Sequence, residues 1–262
     1  MRRHPANATP RHDFLTRLRI EEIERVLGRH KDIFLDKDLL EIGSGTGVQL
    51  ERLRSFCRSA IGIEVAGGQD FLPVVTVQEY DGRRLPFPAA SFDVVFSSNV
   101  MEHVADQAAV QNEIRRVLRP SCVAVHIVPT ATWRVWTSIA YYPHLVGRLA
   151  AMVRDSVSPR SVNTTEYNAS DVTARRRRHL LSRLFPARHG DLGNWLTEYS
   201  LFRVSSWRKL FQSHGWNIEI EEPIGLAYSG YSLLAGNLSM AARQSLARIL
   251  GSSTVLFVLR RP

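Results

Sequence analysis

Asp38-Leu39-Leu40-Glu41-Ile42-Gly43-Ser44-Gly45-Thr46-Gly47-Val48 is the stretch whose reading decides the fold. Five residues of short apolar strand run straight into three glycines at alternate positions. Such glycines let a backbone turn tightly and approach a ligand with no Cβ in the way. A helix is expected from Val48 to Cys57, then a second strand from Ala60 to Val65. Glu64, seventeen residues beyond Gly47, stands at the end of that strand. An acid there can accept hydrogen bonds from both hydroxyls of a ribose. The run is Gly-x-Gly-x-Gly, not the Gly-x-Gly-x-x-Gly of dinucleotide folds. Lysine occurs only at Lys31, Lys37 and Lys209, so the Tyr/Lys pair of a nicotinamide oxidoreductase has no place after strand four or five.

Outward from this turn the pattern repeats. Strands are expected at Val74–Gln78, Phe92–Phe96 and Cys122–Val128, with a helix over Asp106–Leu118. Before it, Phe14, Leu18, Ile20, Ile23, Val26 and Leu27 recur at helical spacing over Asp13–His30, with Asp13 as the N-cap. Short apolar strands alternating with helices predict an α/β fold, a mostly parallel sheet with helices on both faces. The alternation stops over 130–190 and resumes with a helix at Ser205–His214, a strand at Trp216–Glu221, a helical stretch at Leu233–Leu250 and a strand at Thr254–Leu259. The expected division is a disordered lead (1–12), a ligand-binding α/β core (13–128), a basic aromatic insertion (129–190) and the rest of the same core (191–262). An insertion of that length exceeds an ordinary loop and is expected to be functional.

A further acidic turn follows the third strand, Asp81-Gly82-Arg83-Arg84-Leu85-Pro86. Taken in order, LLEIGSGTG, Glu64, DGRRLPFPAASFDVVFSSNVMEHV and EIRRVLRP resemble the class I S-adenosylmethionine-dependent methyltransferases, above all their small-molecule branch (type 11-like). The likeness is good over 38–128 and loose over 198–222. It implies a Rossmann-like methyltransferase fold, a seven-stranded sheet whose last strand runs antiparallel, with S-adenosylmethionine as cofactor. It also implies that Glu41, Gly43, Ser44, Gly45 and Gly47 surround the methionine part and that Glu64 holds the ribose. Asp81 would take the adenine amino group, Gly82 or Arg83 the ring edge, and Ser98 and Asn99 would lie beneath the sulfonium. These positions follow strand ends, where open α/β sheets bind ligands.

A sulfonium already activates its methyl group, so the protein has mainly to align the acceptor. An oxygen acceptor also loses a proton, and His103, in Met101-Glu102-His103-Val104 after strand four, is the candidate base. The other reading is that Glu102 or His103 caps or packs the next helix. His126 is a second candidate base, although a histidine inside a strand suits the core. No His/Cys/Asp/Glu group has metal spacing along the chain, so no metal is expected. The Asn/Asp-Pro-Pro-aromatic pattern of nucleic-acid base methylation is absent; Ser97-Ser98-Asn99-Val100 stands there.

Composition bounds the partners. The 262 residues carry a net charge of +9, yet residues 1–128 hold 17 basic and 17 acidic side chains. The excess lies downstream, and residues 131–188 alone hold ten arginines against three acids. That pattern lacks the broad basic face of an RNA binder. Within the insertion, Trp133, Trp136, Ile139, Tyr141, Tyr142 and Leu145 lie between Arg134 and Arg148, with a run of four arginines at Arg175–Arg178. Three readings stay open: a lid over an apolar or sugar acceptor, a peripheral contact with anionic lipid, or a solvated loop. Arginine clusters also suit phosphate-linked acceptors. The expected reaction is O-methylation of a sugar or lipid-linked surface-polysaccharide intermediate. The alternatives are a quinone or other lipophilic metabolite, or a non-catalytic cofactor-binding module. The basic, polar N-terminus does not look like a secretory signal. Val135–Gly147 is too short to cross a bilayer, and Pro223–Ala242 is too rich in Gly and Ser. A cytoplasmic protein with free Cys57 and Cys122 is expected, the 131–188 segment being the part suited to touch the inner face of a membrane.

Overall fold

The computed structural model describes residues 10–66, 75–157, 186–231 and 238–261. In chain order the helices are α1 (Pro10–His30), α2 (Val48–Arg54), α3 (Gln107–Val117), α4 (Ala131–Val157), α5 (Glu198–Leu201), α6 (Val204–Ser213) and α7 (Met240–Leu250). The strands are β1 (Asp38–Ile42), β2 (Ser59–Val65), β3 (Val77–Tyr80), β4 (Phe92–Ser98), β5 (Leu118–Pro129), β6 (Asn217–Pro223) and β7 (Thr254–Arg260). All seven join one sheet in the order β3-β2-β1-β4-β5-β7-β6. The pairs from β3 across to β5 are parallel, and β7 runs antiparallel to both β5 and β6. This is the Rossmann-like α/β arrangement expected, with the last strand reversed.

Successive residues of a strand face opposite sides of a sheet, so an unbroken buried run means that both faces are covered. Leu39–Ile42 in β1 and Thr254–Leu259 in β7 are such runs. The edge strands β3 and β6 are only partly buried. Asp106 caps α3 by accepting the Ala109 N–H at 2.9 Å, and Ser239 caps α7 through the Ala242 N–H at 3.2 Å. Glu102 and His103, which also precede α3, are therefore not its caps.

Several boundaries move. α1 begins at Pro10, so Asp13 lies inside the helix rather than at its cap, and residues 10–12 belong to the helix instead of the lead. Ile20, off the face formed by Leu18, Ile23, Val26 and Leu27, is exposed. The third strand comes three residues later than expected, and Val74 lies outside the described residues. Over 129–190 the described part opens with the 27-residue α4, which holds Pro143. Arg175–Arg178 lie outside the described residues, as does the start of the Leu233–Leu250 stretch. Among the described residues no helix is long and apolar enough to cross a membrane.

α1 is fastened to the far end of the chain by one buried acid. Glu22 Oε1 accepts hydrogen bonds from Tyr228 Oη at 2.8 Å and Thr254 Oγ1 at 2.7 Å, while Arg19 pairs with Oε2. Replacing Glu22 by Ala leaves two buried hydroxyls without an acceptor and Arg19 without its partner. The expected loss is about 3 kcal/mol of unfolding free energy in urea denaturation. Tyr228→Phe, which removes one donor only, is expected to cost about 1 kcal/mol.

Candidate functional site

The strand order reverses between β1 and β4, whose chain connections leave in opposite directions, so a cleft opens beyond their carboxyl ends. It has a volume of about 720 Å³. Its lining comes from the carboxyl ends of four strands: Ile42 and Gly43 at the end of β1, Glu64 and Val65 of β2, Tyr80, Gly82 and Arg83 at β3, and Asn99, Val100 and His103 after β4. Val104, Ala105, Asp106, Ala109 and Val110 complete it from the start of α3.

The glycine turn is built for close approach. A Cβ on Gly43 would meet Val100 Cγ2 at 2.4 Å, so this position is closed to other residues by the protein itself. At Gly45, with φ +52°, a Cβ would have no protein atom within 4 Å. That backbone faces open space, which a ligand can occupy. Glu64 Oε2 accepts the Gly45 N–H at 2.8 Å and Oε1 the Val65 N–H at 3.0 Å, which fixes the acid at the rim of the cleft. Glu41 is buried in β1, and its Oε2 receives no hydrogen bond among the described residues. Burial pushes its pKa from the ordinary 4.5 to about 8; the Ser44 hydroxyl pulls the other way and Glu64 adds to the rise. A buried acid with an unused oxygen beside a cleft suits a cationic ligand, whose charge would ionise it.

Not every expected residue turns towards the cleft. The Ser44 hydroxyl is buried and donates to the Glu41 carbonyl at 3.2 Å. Gly47 is the N-cap of α2. Asp81 stands next to the lining residues; its Oδ1 accepts the N–H groups of Arg83 at 2.8 Å and Arg84 at 3.1 Å, which holds its pKa below the usual carboxylate range. Ser98 is set back, and its Oγ accepts from Asn99 Nδ2 at 3.2 Å. Asn99 itself lines the cleft in the left-handed region at φ +54°, a conformation asparagine tolerates, and this kink turns the chain out of β4. His126 is wholly buried, bonded to Ser97 Oγ at 2.8 Å and stacked on Phe211; burial drives its pKa down to about 3. It belongs to the core.

His103 is exposed on the cleft, at the end of the 3-10 turn Met101–His103. Its ring centroid lies 4.9 Å from that of His189, whose ring packs 4.5 Å from Trp133 of α4. His189 and Glu102 were not read as site residues. Spacing along the chain shows no His/Glu cluster because His189 comes only at the far end of the 129–190 segment. The returning chain brings it back: Asp191 N–H donates to the Glu102 carbonyl at 3.1 Å, and Glu198 Oε1 accepts the N–H groups of His189 at 2.6 Å and Gly190 at 2.8 Å. Glu198 is paired in turn with Arg134 at 3.0 Å, both side chains buried. Tyr80 was missed too, although its place directly before Asp81 at a strand end was a usable signal.

Glu41 gives the site a pH signature. Between pH 4.5 and about 8 the folded chain keeps a proton there that the unfolded chain has released. Stability is therefore expected to fall as pH rises through that window, and Glu41→Gln to flatten this part of the profile in urea denaturation.

The comparisons agree with this geometry. A family model described as a methyltransferase domain matches residues 40–125. Over 98 residues the chain is 36% identical to a Mycolicibacterium smegmatis protein described as a probable S-adenosylmethionine-dependent methyltransferase, covering 36% of this chain and 38% of that one. It is 28% identical over 103 residues to a ubiquinone/menaquinone biosynthesis C-methyltransferase of Desulfotalea psychrophila, 37% of this chain and 42% of that one. The chain thus spans less than half the length of these curated relatives. In fold it is similar to a solved S-adenosylmethionine-dependent methyltransferase of Thermotoga maritima, with TM-score 0.53 and 12% identity over 95% of this chain and 93% of that one. Residues 40–125 of this chain thus match the methyltransferase-domain family, over a stretch that also aligns with a relative described as S-adenosylmethionine-dependent.

Proposed function

We propose that the chain transfers a methyl group from S-adenosylmethionine to an oxygen of a small molecule, a sugar or a lipid-linked intermediate of the surface-polysaccharide kind. The observation that carries the reading is the sharing of one cleft by Gly43 of the glycine turn and Glu64 on one side and the His103 imidazole on another, with the buried Glu41, whose Oε2 receives no hydrogen bond among the described residues, directly before Ile42 of the lining. The residues fit the cofactor. Gly45 leaves room for its methionine part, Glu64 can receive the ribose hydroxyls, and Glu41 supplies a negative charge. When bound, the cofactor contributes a methyl group already activated on a sulfonium.

The chain's own residues would then do three things. Val65, Val100, Val104 and Val110 exclude water from the cleft. The strand ends hold the acceptor in line, which removes the entropic part of the barrier. His103 serves the proton of the acceptor hydroxyl. An apolar acceptor is favoured by α4, where Val135, Ile139, Tyr142 and Val146 form one exposed face at spacings of four, three and four. The same face favours a quinone as second reading.

Calorimetric titration with S-adenosylhomocysteine is expected to show one equivalent bound, weakened at least a hundredfold by Gly45→Arg. Folded wild-type protein that bound none would end the cofactor reading. Labelled-methyl transfer into a cell extract, fractionated into lipid, polysaccharide, protein and RNA, is expected to label the lipid or polysaccharide fraction; label in quinone would favour the second reading. Binding without transfer to any fraction would mark a non-catalytic module. His103→Ala is expected to lower turnover about a hundredfold, the low end for a lost acid–base group, with cofactor affinity unchanged.

A further inference from the structure

We infer that Glu102, His103 and His189 form a binding site for one divalent transition-metal ion of the zinc type, at the edge of the cleft. One carboxylate oxygen and one imidazole nitrogen from each histidine lie within 4.8 Å of one another. The second observation is independent of this convergence. The Glu102 side chain has no exposure, and neither of its oxygens receives a hydrogen bond among the described residues. His189 Nε2 comes only to 3.7 Å of Oε1, beyond hydrogen-bond reach. A carboxylate taken out of water with no donor calls for a positive charge at contact distance.

The surroundings explain how the ligands are held. Glu102 and His103 sit on the 3-10 turn after β4, pinned from below by Gln107, whose Nε2 donates to the Met101 carbonyl at 2.6 Å. His189 is fixed through its backbone by Glu198, and Glu198 by Arg134, which also donates to the Ala187 carbonyl at 3.0 Å. A Cβ on Gly190 would strike the Glu102 carbonyl at 2.6 Å, so the chain beside His189 is pressed against the turn. A tetrahedral shell with bonds of about 2.0–2.1 Å sets ligand atoms about 3.3 Å apart. Both imidazoles are exposed and can rotate inward to reach that spacing.

Two imidazoles and one carboxylate leave a fourth position open for water or a hydroxyl, the pattern of a catalytic rather than a structural site. The ion's further role rests on the methyl-transfer reading above. There the acceptor hydroxyl would bind the open position and lose its proton to solvent at neutral pH. Its oxygen lone pair forms the bond to the methyl carbon while the carbon–sulfur bond breaks, its electrons going to sulfur. With the ion bound, His103 serves the acceptor as a ligand of the ion and no longer as its base.

Chelator-stripped full-length protein, titrated with Zn²⁺ by calorimetry and with Co²⁺ by visible absorption, tests the site without any methyl transfer. One equivalent should bind, with the intense visible bands of four-coordinate Co²⁺. His189→Ala and Glu102→Gln should each weaken binding at least tenfold while S-adenosylhomocysteine affinity stays within twofold. If Glu102→Gln does not fold by circular dichroism, His189→Ala decides alone. No binding by the wild type, or binding that His189→Ala leaves within a factor of ten, overturns the site. Loss of cofactor binding in the wild type would count against the methyl-transfer reading and leave the metal result standing.

Discussion

The constraint on which the rest depends is the reversal of strand order between β1 and β4. Chain leaving β1 turns one way to reach β2, and chain leaving β4 turns the other way to reach β5. No connection can cover the gap between them, so the carboxyl ends of the central strands stay open to a ligand. The Gly43–Gly47 turn works because it lies at this gap. Its glycines meet two different needs: Gly43 is closed in by Val100, whereas a Cβ on Gly45 would meet no protein atom within 4 Å.

Burial of charge organises the two walls differently. Beside the glycine turn Glu41 is buried without a full set of donors, which favours the protonated acid. On the other wall Glu198 is buried but paired with Arg134 and bonded to two backbone N–H groups. The first arrangement leaves an acid responsive to a ligand. The second spends its interactions on placement, since the bonded N–H groups are those of His189 and Gly190. A buried ion pair adds little net stability against its desolvation, and its value here is to fix where the returning chain lands.

The charge count takes its meaning from this layout. The balanced first 128 residues supply the residues that line the cleft, and the arginine-rich segment begins where α4 leaves the sheet. Arg134, counted among the basic residues of that segment, is in fact wholly enclosed and neutralised by Glu198. A sequence count of charge therefore overstates what α4 presents to solvent. What α4 presents includes an apolar face, Val135, Ile139, Tyr142 and Val146, beside the exposed His144 and Arg154.

Local chemistry was legible in the sequence. Hydrophobic runs marked all seven strands to within a few residues, and the glycine turn, Glu64 and Asp81 pointed to the strand ends because each lies within a few residues of its strand. Boundaries slipped where local signals compete, as at Asp13, a good capping residue overruled by a helix that starts at Pro10. What the sequence by itself determined is the set of parts that depend on neighbours in the chain: strands, caps, the turn, and the identity of the acid after each strand. Only the tertiary structure decided which side chains meet. It turned Ser44 and His126 inward, left Glu41 and Glu102 buried with unpartnered oxygens, and set His189 beside His103. The reason is physical: those contacts join segments far apart in the chain, and their geometry follows from sheet order and from one buried ion pair, neither of which leaves a periodic trace in sequence.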